Sequence, residues 1–448
     1  MSRYWCQYAS LDRGVAASVL VDVHDDRIAD VQVGVGCPAD AVRLEGLTLP
    51  GFANSHSHAF HRALRGRTQV GSGSFWTWRE QMYSVAGRVT PEQYHDLARA
   101  VYGEMAMAGI TCVGEFHYLH HGPGGVPYDD VNAMGEAVVA AAEAAGVRIT
   151  LLDTCYLHGG LHDGSPTAPN EIQRRFSDGT VAAWAERVEG LLALESASCR
   201  VGAAVHSVRA VDPDAVEVVA RWADGRSAPL HAHVSEQPAE NEQCALAYGR
   251  TPTQVLAERG AVTDRFTAVH ATHLTAPDIE VLGDAGCTIC MCPTTERDLA
   301  DGIGQAAALR AAGARLTLGS DSHAVIDMFE EARAVELDER LATRTRGHHD
   351  ARSLLAAATF DGHASLGWDD AGRIRSGDLA DLVTVSLGSV RTAGRGVDSL
   401  LETAVFAASA ADVRHVVASG RVVVDHGHHT RFDVAAELDR IVGELWDV

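Results

Sequence analysis

Between Leu49 and Gly319 the chain alternates short apolar runs with longer, more polar stretches, and that rhythm leaves few folds open to it. The runs are Leu49–Ser55, Ile110–Phe116, Val147–Thr154, Val201–His206, Leu230–Val234, Phe266–His270, Cys287–Cys292 and Arg315–Gly319. Most are rich in apolar residues without a break, as strands covered on both faces are. Between most of them lie Ala-, Glu- and Arg-rich segments of helical period, among them Val131–Ala145, Ala182–Leu194 and Asp214–Ala223. Thr90–Pro91–Glu92–Gln93 opens another, with a capping threonine, proline at the first helical position and glutamine at the third. The segment GSGSFWTWRE before it reads as a loop rich in glycine and aromatics. Strand–helix alternation predicts a parallel sheet, and eight such units predict an α/β fold of the (β/α)8, TIM-like barrel type.

The two ends have another texture. Residues 1–48 hold short alternating segments, Ala17–Val23 and Ile28–Val35, broken by Asp25–Asp26 and Gly36. Beyond about residue 370, Ile374–Val383 leads into a second strand-rich region through Val424, and a helix from Val434 to Leu445 closes the chain. The expected organisation is one β-sandwich built from residues 1–48 and 371–448, the latter with the terminal helix, beside a barrel over 49–370.

Charge and composition narrow the function. A net charge of −23, from 60 acidic and 37 basic residues, argues against nucleic acid or an anionic membrane as partner. A local arginine pocket can still take a small acidic substrate. All 37 basic residues are arginine. Without lysine there is no Schiff base, no P-loop and no carboxylated lysine bridging two metals. Nine cysteines, no apolar leader in the first 20 residues and no membrane-length apolar run predict free thiols and a cytoplasmic protein. CTICMC, at Cys287, Cys290 and Cys292, reads as thiols in a core strand.

The first apolar run ends in LPGFANSHSHAFH, with His56 and His58 two apart. On an extended strand such residues share a face, so the pair is half a metal site. Barrels carry their active sites at the C-terminal ends of the strands. There the fourth run ends in His206, followed by Arg209; HAHVSE places His233 three residues before Glu236; the sixth run ends in His270; and GSDSH carries Asp321.

LPGFANSHSH, HAHVSE, VHATH, GSDSH and GDLADLV resemble the amidohydrolase superfamily, in its mononuclear deaminase branch, over essentially the whole chain. The resemblance implies one Zn2+ per chain held by His56, His58, His233 and Asp321, with Fe2+ or Mn2+ as alternatives for such donors. It implies Asp321 as acceptor of the attacking water's proton, Glu236 as proton carrier to the leaving amine, and His270 as stabiliser of the tetrahedral centre. SFWTWREQMY, EFHYLHH and VHSVRAV further resemble the N-formimino-L-glutamate deiminase family of histidine degradation. That implies a hydrolase of C–N bonds in a linear, acidic amidine, and a homodimer. Arg79 and Arg209 match the positions expected to hold the two carboxylates, with Tyr118 and His206 as polar helpers. His61 departs from the family, which often has glutamine there; it implies the same contact with a different reach. Two other readings stand beside this one. An aminohydrolase of a guanine-, cytosine- or triazine-type ring would need neutral, stacking groups rather than two arginines. A metal-free relative that binds partners would have no use for all of His56, His58, His233, Glu236, His270 and Asp321.

Overall fold

The computed structural model describes residues 2–69 and 75–446, without the side chains of Phe75 and Trp76. Eight parallel strands follow one another in chain order: β1 (Phe52–Ser57), β2 (Ile110–His117), β3 (Arg148–Cys155), β4 (Cys199–Val205), β5 (Leu230–Val234), β6 (Phe266–His270), β7 (Thr288–Met291) and β8 (Arg315–Leu318). Every residue of β1, β2 and β3 is buried, which is why these strands read as unbroken runs. The seam closes at the C-terminal end of β8. There Asp321 N–H donates to His56 O at 3.0 Å, and His58 N–H donates to Asp321 O at 3.3 Å.

Two local expectations are corrected. Leu49 and Pro50 belong to a strand of the second sheet, Val42–Pro50, where they pair with Val383 and Leu382, and the barrel strand starts only at Phe52. Gly51 makes the break: a Cβ there would lie 2.3 Å from Thr111 Oγ1 and 2.7 Å from Asp381 Cβ. The apolar run continues through it and hides it. The presumed loop GSGSFWTWRE is helical from Phe75, in α1 (Phe75–Ala86); Gly71–Ser74 lie outside the described residues. Past its glycines the segment buries Trp78, Met82 and Val85, spaced four and three apart on one helical face. The helix α2 (Pro91–Met107) begins as expected, Thr90 accepting from Gln93 N–H and the Gln93 side chain accepting from Thr90 N–H.

The chain ends meet in one sheet of eight strands, running Arg27–Val33, Gly14–His24, Ser2–Leu11, Val42–Pro50, Leu382–Val385, Val413–Ala418, Arg421–Asp425 and His428–His429. The sandwich is this single sheet bent over on itself. Tyr4 OH donates to Gly420 O at 3.0 Å, and Ile28 N–H donates to Asp378 O at 2.9 Å. The fold encloses a small core that includes Tyr4, Cys6, Val21, Ile28, Leu382 and Val417. All nine cysteines are free and only Cys37 is exposed; Cys290 and Cys292 pack with Val269. No described helix is long and apolar enough to cross a membrane.

Sheet and barrel are joined through a buried ion pair. Arg148, at the start of β3, donates to Asp381 Oδ1 at 2.9 Å and to Oδ2 at 2.5 Å, both side chains being 1% exposed. Asp381 also accepts from Thr111 Oγ1 and from Ser419 N–H, and its carbonyl accepts from Gly51 N–H. Burial alone would raise the Asp381 pKa; Arg148 more than offsets it and holds the carboxyl below its ordinary value. A carboxylate depressed in the folded state stabilises the fold above its unfolded pKa, and that contribution is lost as pH falls through the folded one. Asp381→Ala should cost about 3–5 kcal/mol, because it strands a buried guanidinium, and the double variant with Arg148→Met should recover much of it. Urea unfolding of the variants measures both; a double variant no more stable than Asp381→Ala would count against the pairing.

Candidate active site

The strand ends deliver their side chains to one cavity of about 220 Å³ at the C-terminal mouth of the barrel. His58, His61, Arg79, Tyr118, His206, Arg209, His233, Glu236 and Asp321, all singled out from the sequence, line it. Non-glycine residues in left-handed backbone cluster here: Ser235, His270, Ala271, Asp321 and His323 have φ between 40° and 66°. Such conformations cost of order 1–3 kcal/mol each and persist where surrounding structure imposes them.

His56, His58, His233 and Asp321 form the floor, each buried, with one donor atom apiece lying within 4.8 Å of the others. His58 Nδ1 lies 3.0 Å from Phe116 O, and His233 Nδ1 lies 2.8 Å from His206 O. A carbonyl only accepts, so these nitrogens carry the protons and both Nε2 atoms turn lone pairs inward. Burial pushes the His56 imidazole down to about 3, so it is neutral. His56 Nε2 is 3.2 Å from His233 Nε2 and 3.1 Å from Asp321 Oδ1, and His58 Nε2 is 3.3 Å from that same oxygen. At most one proton, on His56 Nε2, serves these four converging groups, and the lone pairs left over repel one another unless a cation lies between them. Three imidazoles and one carboxylate are the donor set of a catalytic zinc-type site, so the residues fit a divalent ion. A second buried group, His117, His120 and Asp153, does not: Arg187 donates to both Asp153 oxygens at 2.8 and 2.9 Å and already neutralises that carboxylate.

Above the floor stand Glu236 and His270. Glu236 Oε1 lies 3.8 Å from His270 Nε2, and His270 Nδ1 lies 3.4 Å from Glu296 Oε1. Burial pulls the His270 pKa down, but Glu236, Glu296 and Asp321 outweigh it and push it up to about 10. His61 is buried with Nε2 2.9 Å from Tyr118 OH and its ring edge-on to Trp78. The His206 ring sits edge-on to Tyr118 and Tyr156, at 5.5 and 4.6 Å between centroids. Arg79 projects from α1, its guanidinium 5.6 Å from the centre of the Tyr83 ring. Arg209 is not simply waiting for a ligand: its Nη2 donates to Glu236 Oε2 at 3.2 Å.

Several residues at the site were not singled out from sequence. Tyr83, Tyr156, Trp78 and Glu240 line the cavity, Glu240 being 1% exposed. Behind the floor, Glu115 accepts from Ser57 Oγ and Ala59 N–H, both at 2.6 Å, and His323 Nε2 lies 3.2 Å from Ser57 Oγ. A lone charge inside an apolar run (CVGEFH) was the available sign of Glu115, and spacing four beyond Glu236 that of Glu240.

Barrel, bent terminal sheet and His/Asp floor together define a hydrolase of C–N bonds, and the chain belongs to the amidohydrolase family, whose model matches residues 47–423. It is 37% identical to the formimidoylglutamate deiminase of Pseudomonas aeruginosa, with 100% of each chain covered. It is 29% identical to the 8-oxoguanine deaminase of the same species, over 98% of each. An amidohydrolase of Brucella melitensis superimposes with a TM-score of 0.92 at 33% identity, covering 99% of this chain and 100% of the other. These neighbours place it among the family's deaminases.

The floor predicts one divalent ion per chain, removed by chelation together with activity and restored by zinc. His233→Ala should purify folded without it. Metal analysis of both proteins is the check, and two tightly held ions per chain, both needed for turnover, would defeat the mononuclear reading.

Proposed function

We propose that this protein hydrolyses N-formimino-L-glutamate to N-formyl-L-glutamate and ammonia, in histidine degradation, with a single divalent ion, zinc by its donor set. The observation that carries the reading is the presence of Arg79 and Arg209 in the cavity that holds the His/Asp floor. The substrate has one carbon to hydrolyse and two carboxylates to be held, and arginine forks are the groups that hold carboxylates. The 37% identity to a formimidoylglutamate deiminase over the full chain supports the same substrate. Among the described residues, the aromatic side chains Trp78, Tyr83, Tyr118, Tyr156 and Phe176 in the cavity wall would suit a stacked ring as well. A ring aminohydrolase has no evident use for two arginines, and that favours the amidine.

His56, His58, His233 and Asp321 would hold the ion, which when bound lowers the pKa of water toward 7 and so supplies a nucleophile at neutral pH. Asp321, a carboxylate on the cavity floor, takes the proton of the attacking water. Glu236, at the edge of the floor, carries the proton released by the attacking water to the nitrogen that departs as ammonia. His270, protonated and held by Glu296, offers Nε2–H toward the developing charge.

Ammonia release from formiminoglutamate, compared with a panel of nucleobases, tests the assignment; a preference for a nucleobase would hand it to the ring reading. Glu236→Gln should keep metal and fold while kcat falls by about 10²–10⁴, since only proton transfer is removed. Arg79→Met should lower kcat/KM on formiminoglutamate roughly tenfold to over a hundredfold, the worth of one charge-assisted contact. Its turnover of formamidine, which lacks both carboxylates, should hardly move; equal losses on the two compounds would make Arg79 structural.

A further inference from the structure

Arg209 faces two carboxylates within the cavity wall itself. Its Nη2 donates to Glu236 Oε2 at 3.2 Å, while its Nε, 3.8 Å from Glu240 Oε2, makes no hydrogen bond. Glu240, in the helix Pro238–Tyr248, accepts the backbone N–H of Glu236 on that same Oε2 at 3.2 Å, and its Oε1 has no partner. One guanidinium therefore answers for two buried acids; the other cation beside Glu236 is His270, 3.8 Å from its Oε1, whose charge is already shared with Glu296 at 3.4 Å. One of the two, Glu236, is the group that the proposed reaction needs facing the amidine.

A buried carboxylate does not leave its arginine for nothing, because separation strands two desolvated charges. Glu236 can turn to the reacting carbon only if Arg209 is given another anion and Glu236 another cation. The substrate of the proposed reaction brings both. Amidines are strong bases, protonated at neutral pH, so the reacting end is a cation and the far end carries carboxylates. We propose that substrate binding is an exchange of ion-pair partners: a substrate carboxylate takes Arg209 from Glu236, and the substrate's amidinium takes Glu236 in its place. Glu240 remains beside Arg209 as its fixed counter-ion. Arg209 faces two carboxylates before the exchange and two after it, and Glu236 faces a cation throughout. The carboxylate is thereby part of the catalytic event, since its binding energy is realised at the reacting end as a freed Glu236. An amidine without a carboxylate meets a Glu236 that is still held.

The inference rests on the formiminoglutamate reading, and the experiment separates the two by taking the substrate in pieces. Formamidine, the reacting end, is assayed with wild-type holoenzyme with and without glutarate, the anchoring end, at constant ionic strength. Glutarate is expected to raise kcat/KM for formamidine roughly tenfold, the low end of what one charge-assisted hydrogen bond confers. Arg209→Met should turn over formamidine faster than wild type without glutarate and should not respond to it. If Arg209 only anchors, glutarate will leave wild-type formamidine turnover unchanged, or inhibit it, at concentrations that half-inhibit formiminoglutamate hydrolysis. That outcome overturns the exchange and needs no variant to fold. An Arg209→Met protein no faster than wild type on formamidine overturns it equally. Formiminoglutamate turnover by the same wild-type preparation is scored on its own, and its absence would refute the underlying assignment whatever glutarate does.

Discussion

Strand β8 meets β1 through the backbone of Asp321, which lies between His56 and His58 and bonds to both. Its φ of 40° turns the chain out of the strand direction and brings its carboxylate to the Nε2 atoms of those same histidines. Closing the barrel and assembling the donor set are therefore one event. A cation held by these side chains also clamps the seam, and anything that opens the seam scatters the donors. The layer behind is built for the same stiffness: Asn54 spans the seam to Ser320, and Ser57 ties His323 to Glu115.

Three sets of buried carboxylates are held by guanidinium groups. Arg148 meets Asp381, Arg187 bridges Asp153 and Asp178, and Arg209 lies between Glu236 and Glu240. Arginine remains charged when buried and its planar fork satisfies both oxygens of a carboxylate, which an ammonium does poorly. Arg187 is closed, its nitrogens donating to both carboxylates, and Arg148 holds both oxygens of Asp381 through Nη1 and Nη2 although its Nε is unbonded. The third is left uneven, with an unbonded Nε and an unbonded Glu240 Oε1. That unevenness sits at the cavity, where incoming charge can use it.

The sequence made some of this legible for physical reasons. Strands buried on both faces need unbroken apolar runs, so all eight could be read and mainly their limits moved, as at Gly51. His56, His58, His233 and Asp321 stood out because a polar residue ending such a run has few other uses. The bend of the terminal sheet was not legible, because Tyr4 reaching Gly420 is a contact that local pattern does not encode. Nor was helix α1, whose apolar face begins just after glycines that suggest a loop. The pairing of Arg209 with Glu236 was hidden for another reason. Both residues were visible, yet their facing one another depends on how the turns after β4 and β5 aim them.

The sheet built from the chain ends has a consequence for the order in which this protein comes into being. Val42–Pro50 is complete early in synthesis, but its neighbour Leu382–Val385 emerges about 330 residues later. Until then the N-terminal strands present an open edge, with apolar Leu47 and Leu49 beside unpaired backbone groups. The nascent chain thus carries a sticky border through the whole translation of the barrel. Arg148, drawn from the barrel's own third strand, can meet its partner Asp381 only at the end of that wait, so this clamp between sheet and barrel cannot form until both have been made.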